Sequence, residues 1–117
     1  MSDSVRVKRV AEMLKREIAA IIAGGVHDPR VHDVVITDVR LTNDLGIATV
    51  FFTSYVQSKL PTISAGLEQS IGFIKNQLKG RIRIRKMPQL IMQRDKTQEQ
   101  AERMDELFAR LNNERDS

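Results

Sequence analysis

Ser70-Ile71-Gly72-Phe73-Ile74-Lys75-Asn76-Gln77-Leu78-Lys79-Gly80-Arg81-Ile82-Arg83-Ile84-Arg85-Lys86 is the stretch on which the fold turns. Its second half, Arg81-Ile82-Arg83-Ile84-Arg85, alternates charged and apolar residues as a strand would. Upstream, however, Leu67, Ile71, Ile74, Leu78 and Ile82 recur at steps of four, three, four and four, the period of a helix. The spacing predicts a helix that persists to about Arg83, interrupted by a small-residue break at Ser70-Ile71-Gly72. Pro88 then biases Met87 to an extended conformation, and Leu90 and Met92 mark a short strand to about Arg94.

Upstream of that stretch, Val7, Val10, Ala11, Leu14, Ile18, Ile21 and Ile22 share one helical face, and Gly24-Gly25 supplies a stop. After the turn-rich His27-Asp28-Pro29-Arg30, the runs Val34 to Leu41 and Ile47 to Val56 are dense in Val, Ile, Thr, Phe and Tyr. They read as antiparallel strands joined through Thr42-Asn43-Asp44-Leu45-Gly46. Ser58 to Pro61 carries helix-start signals, with Ser able to cap and Pro suited to the first turn. From Thr97, another candidate cap, Ala101, Met104, Leu107, Phe108 and Leu111 mark a last amphipathic helix that is expected to fray over residues 112–117. The reading is an α+β chain with a three-stranded sheet, a single domain over 1–117 with an ordered core of about 5–110.

A chain of 117 residues with 41% apolar and 29% charged side chains has the composition of a globular domain. It has no cysteine, so disulfides and thiol chemistry are excluded. No apolar run reaches the roughly 18 residues of a membrane span, and the first residues lack a signal-peptide apolar region. The expectation is a cytoplasmic protein. His27, His32, Asp28 and Asp33 form the sole cluster resembling a metal site, but their spacing matches no standard zinc pattern. Walker loops and nucleophile elbows are also missing from the sequence. No catalytic residue, metal, cofactor or small-molecule substrate is expected.

Charge points elsewhere. Residues 1–94 hold 15 basic and 8 acidic side chains, whereas residues 95–117 hold 4 and 7. Lys75, Lys79, Arg81, Arg83, Arg85 and Lys86 follow one another with no acid among them, and mutually repelling cations fit a polyanion such as nucleic acid. Dipole stabilisation at a helix C-terminus accounts for Lys79, Arg81 and Arg83 but not for Arg85 and Lys86 beyond it. In the first helix, Arg6, Lys8 and Arg9 occupy early turns where the dipole disfavours cations, and Arg16 follows on the outer side. These ten residues are the candidate RNA-binding set. The adjacent Phe51 and Phe52 point to opposite faces, one in the core and the other beneath a helix, so recognition should rest on phosphates rather than base stacking. Gly72 costs its helix about 1 kcal/mol relative to Ala, which calls for either close packing or close approach of an RNA phosphate.

The order helix, two strands, helix, helix, strand resembles a type II KH domain without its GXXG loop. More narrowly, Val10 to Ile22, His27-Asp28-Pro29-Arg30-Val31, Asp44-Leu45-Gly46-Ile47-Ala48-Thr49-Val50, Gly72-Phe73-Ile74-Lys75, Leu78, Arg83-Ile84-Arg85, Met87-Pro88-Gln89-Leu90 and Asp95 with Thr97 resemble the bacterial ribosome-binding factor A family, from about residue 5 to 110. The resemblance implies a non-enzymatic assembly factor, a monomer when free, that binds the immature small ribosomal subunit and its rRNA. It also implies assistance to maturation of the rRNA precursor and to growth in the cold, without membrane association. That family reduces the KH loop to a kink of alanine, any residue, glycine, which corresponds here to Ser70, Ile71 and Gly72. Its extended C-terminal tail is nearly absent. The alternatives are a protein-interaction module using the first and last helices, another RNA-binding KH-like protein without a ribosomal role, or a small metal-dependent hydrolase or nuclease.

Overall fold

The computed structural model describes the backbone of residues 3–116 and the side chains of residues 4–97 and 99–114. Helix α1 (Asp3–Gly25) begins before Val7, so Arg6 lies in its opening turns. Leu14, Ile18 and Ile21 form its buried stripe. A 3₁₀ turn follows (Pro29–Val31), capped by the Asp28 carboxylate, which accepts the Arg30 backbone N–H at 3.0 Å and the Arg30 guanidinium at 2.6 Å. Strands β1 (Val34–Leu41) and β2 (Ile47–Ser54) pair antiparallel, Val39 opposite Val50, with a bulge between Ile36 and Asp38.

Helix α2 (Leu60–Arg81) buries Leu60, Ile63, Leu67, Ile74 and Leu78 and carries Pro61 in its first turn. Ser58 makes no cap; it lies in a 3₁₀ turn (Gln57–Lys59) that leads into the helix. Where a helix-kink-helix is expected, α2 runs on as one helix, and the buried Ser70 hydroxyl finds its partner inside it, donating to the Gly66 carbonyl at 2.8 Å. The helix ends at Arg81, short of Arg83. Ile82 is already extended, at φ −127° and ψ 151°, while its N–H still reaches the Leu78 carbonyl at 3.0 Å. From there Ile82 is buried and Ile84 half-buried, with Arg83 and Arg85 exposed, so the period-two pattern wins over the helical one.

Strand β3 (Gln89–Arg94) runs parallel to β2, giving the order β1-β2-β3 with β2 central. One sheet face, with Val39, Val50, Phe52, Leu90 and Met92, packs into the same apolar cluster as α1 and α2. Phe52 is the core aromatic as expected. Phe51, on the other face, lies under the Arg40 guanidinium, 5.3 Å from the ring centroid, and not beneath a core helix. Helix α3 (Thr97–Asp116) extends past Asn112, where the sequence suggests fraying. Its cap is Asp95 rather than Thr97: one carboxylate oxygen accepts the Thr97 N–H at 2.9 Å, the other the Thr37 hydroxyl at 2.6 Å. These bonds, led by Thr37, hold the Asp95 carboxyl below its ordinary range. Among the described residues no helix is long and apolar enough to cross a membrane.

Candidate nucleic-acid interface

The extended segment after α2 passes the outer side of α1 and the β1-β2 turn, and a groove of about 430 Å³ opens between them. Arg6 of α1 stands on one wall and Arg83, Arg85 and Lys86 on the other, with Met13 and Ile84 supplying apolar surface between. Alternation along the segment sends Arg83 and Arg85 to the same side, roughly 7 Å apart. Asp44 and Leu45 close one end. Asp44 is held by the Thr42 hydroxyl at 2.7 Å and the Gly46 N–H at 2.9 Å; these bonds, with a smaller contribution from the field of Lys86, keep its carboxyl below the ordinary range. Leu45 sits at φ 60°, a left-handed conformation that costs a branched residue about 1–2 kcal/mol. Four cations thus face a single carboxylate in this groove.

Met13 also borders a second, shallower concavity of about 590 Å³, lined by Lys8, Arg9 and Arg16 with Glu12. Seven of the ten cations singled out in the sequence therefore line these two hollows.

The other three do not. Arg81 pairs with Glu17 of α1 at 3.5 Å, and Phe73 lies against Gly25, so the row 73-77-81 of α2 faces α1. Lys75 and Lys79 are rotated roughly 160° from that row, on the far flank of the helix. The basic run is compensated at Arg81 by an acid distant in sequence.

At Ser70-Ile71-Gly72 the packing explanation for the glycine fails. A Cβ on Gly72 would meet nothing within 4 Å, and the residue is exposed. The glycine that packing does require is Gly66, where a Cβ would come within 2.9 Å of Arg30 Cβ and 3.0 Å of Val31 Cγ1. The Asp28-Pro29-Arg30 turn is thus a brace seated on α2. Gly66 is missed by sequence reading because its constraint comes from a turn 35 residues away; the only signal is its neighbour Leu67 in the buried row. Replacing Ser70 by Ala should leave stability within about 0.5 kcal/mol, because the helix hydrogen bonds are retained and Ala favours the helix, and thermal melting checks it.

The histidine-aspartate cluster is otherwise engaged. Asp28 is committed to Arg30, and Asp33 to Lys59 at 2.6 Å. Among the described residues no group of three or more His, Cys, Asp or Glu side chains is placed to hold a metal ion. Tyr55, predicted to continue β2, instead follows the strand end and is 88% exposed.

The family profile described as ribosome-binding factor A matches residues 6–108. Ribosome-binding factor A of Lactococcus lactis subsp. cremoris is 40% identical over 114 residues, covering 96% of this chain and 96% of the relative. That of Staphylococcus saprophyticus is 43% identical over 95 residues, covering 80% and 83%. Among solved structures, ribosome-binding factor A from Thermus thermophilus superposes with a TM-score of 0.68 at 23% identity, over 75% of this chain and 93% of that one. A homology model of Thermus thermophilus ribosome binding factor A, as fitted into the cryo-EM map of a complex of that protein with 30S, gives 0.61 at 24% identity, over 73% and 90%. These two likenesses concern the fold. With the profile spanning most of the chain and relatives near 40% identity over nearly all of it, the chain belongs to the ribosome-binding factor A family.

Proposed function

We propose that this protein is a non-catalytic assembly factor of the cytoplasm that binds the immature small ribosomal subunit through phosphates of its rRNA and assists maturation of the precursor. The observation that carries the reading is the pair of cationic hollows that share Met13 of α1, one lined by Arg6, Arg83, Arg85 and Lys86 and the other by Lys8, Arg9 and Arg16. Apolar floor residues and a net positive lining suit a sugar-phosphate backbone. A backbone clamped between α1 and the 82–88 segment is held in one path, which disfavours competing rRNA pairings. Such pairings persist longer at low temperature, so the need for the factor should grow in the cold.

Gly72 supplies a second approach. An exposed helix position without a side chain lets a partner backbone come close.

The test is cosedimentation with purified precursor and mature small subunits across a salt series. Binding should favour the precursor, and the log of the binding constant should fall with log salt at a slope of roughly −3 to −5, about −0.7 per neutralised phosphate for up to seven cations. Binding that is flat across the series would exclude a phosphate-based interface.

A further inference from the structure

Asp44 is the member of the groove that phosphate binding leaves unexplained. A carboxylate repels every phosphate that Arg6, Arg83, Arg85 and Lys86 attract, yet it stands among them. Its place in the hairpin turn accounts for one of its two oxygens: the Thr42 hydroxyl and the Gly46 N–H both donate to Oδ1, at 2.7 and 2.9 Å. A carboxylate has about four lone-pair sites, so on this exposed side chain Oδ2 keeps acceptor capacity that the turn does not use. The turn bonds also keep the group ionised at neutral pH. Beside it, Leu45 holds a left-handed backbone where turn chemistry favours glycine or asparagine, and it lines the same end of the groove with a branched apolar side chain.

An acceptor-only group among cations selects a ligand that carries N–H donors, acceptors and negative charge together. A phosphate by itself has no such donor, and a basic protein side chain is repelled by the four cations. An unpaired nucleotide meets all three demands, and the bases differ in how well. Guanine alone sets two donors side by side, N1–H and N2–H, with the acceptors O6 and N7 next to them. Adenine and cytosine each bring one amino group, and uracil one N–H between two carbonyls. Lys86 lies near enough for its field to reach Asp44, so a cationic donor is at hand for O6 or N7. The volume of about 430 Å³ is in the range of small-ligand sites. Resting on the proposed function, we infer that the groove seats one unpaired guanine nucleotide of the rRNA, whose N1–H and N2–H donate to Asp44 while Lys86 donates to O6 and Arg83 and Arg85 hold its phosphate. Met13 and Ile84 give the base aliphatic surface to lie against. The groove then fixes which nucleotide sits at α1, and the cations beyond it supply affinity without regard to sequence.

The experiment measures binding of the full chain and of Asp44→Asn to labelled short uridine oligomers whose central residue is guanosine, inosine, adenosine, cytidine or uridine, by fluorescence anisotropy over a salt series. Asn keeps the Oδ1 acceptor for Thr42 and Gly46 but puts an N–H donor in place of Oδ2, and thermal melting verifies that the turn is intact. The parent should bind the guanosine oligomer about tenfold more tightly than those with adenosine, cytidine or uridine. Inosine, which lacks the N2 amino group, should fall between. Asp44→Asn should bind guanosine more weakly than the parent does, and the other three more tightly, because a charge that repels phosphates has gone. Equal, salt-dependent binding of every oligomer by the parent overturns the inference. So does a guanosine preference that Asp44→Asn retains. An equal loss on all oligomers in that variant overturns it too, since Asp44 then meets a ribose hydroxyl and not a base. A parent that binds no oligomer even at low salt removes the phosphate reading and this site with it, an outcome distinct from salt-dependent binding without base preference.

Discussion

Replacing Arg83, Arg85 and Lys86 together with glutamate should lower affinity for precursor small subunits on the order of a hundredfold, with the melting temperature shifted by only a few degrees. All three side chains are exposed and none makes an ion pair closer than 4 Å with a described acid, so the fold loses little. The groove, in contrast, changes from four cations and one carboxylate to one cation and four carboxylates. The salt slope should shrink by roughly two units, about 0.7 for each phosphate no longer neutralised. Arg81→Glu is the informative companion. It replaces a partner of Glu17 by a like charge, so it should cost some stability and much less affinity. An Arg81 effect as large as that of the triple variant would mean that the α2 end, not the groove, carries the RNA. Isothermal binding or filter retention over a salt series measures both.

Two glycines in the same helix should respond to alanine in opposite directions. Gly66→Ala places a methyl 2.9 Å from Arg30 Cβ, near the root of a side chain that its own carboxylate partner pins in place. The Asp28-Pro29-Arg30 turn or the helix must shift, at about 1–3 kcal/mol, which corresponds to a melting temperature lower by about 4–12 °C. Gly72→Ala meets open space and should stabilise the protein by about 0.5–1 kcal/mol through helix propensity. If Gly72 is kept for the approach of an RNA backbone, that more stable variant should bind precursor subunits more weakly. Scanning calorimetry with the cosedimentation assay reads both. Equal stability of Gly72→Ala and the parent, or tighter subunit binding, would count against the reading of Gly72.

What could be read in the sequence follows from how local each constraint is. The apolar period of α1, the strand pairs and the Pro88 boundary are set by near neighbours, and they placed every helix and strand within a few residues. The segment 81–85 carries a helical period and a strand period at once. It is resolved by where Ile82 and Ile84 find burial, which local pattern alone does not determine. The cation set was legible as a type but not as a surface. Arg81 meets Glu17 from another helix, Lys75 and Lys79 rotate to the far flank, and Asp44 and Leu45 enter the groove from a hairpin turn. Capping went the same way. Asp95 outcompetes Thr97 because its second oxygen is anchored by Thr37 on β1, a long-range partner.

The most direct test of the central claim is site-specific photocrosslinking on precursor small subunits, with a photoreactive side chain replacing Met13, which borders both basic hollows. The account predicts crosslinks from this position to rRNA, confined to one or a few neighbouring nucleotides and abolished at high salt. Crosslinks from it chiefly to ribosomal proteins, while a probe on the far flank of α2 labels rRNA, would contradict it.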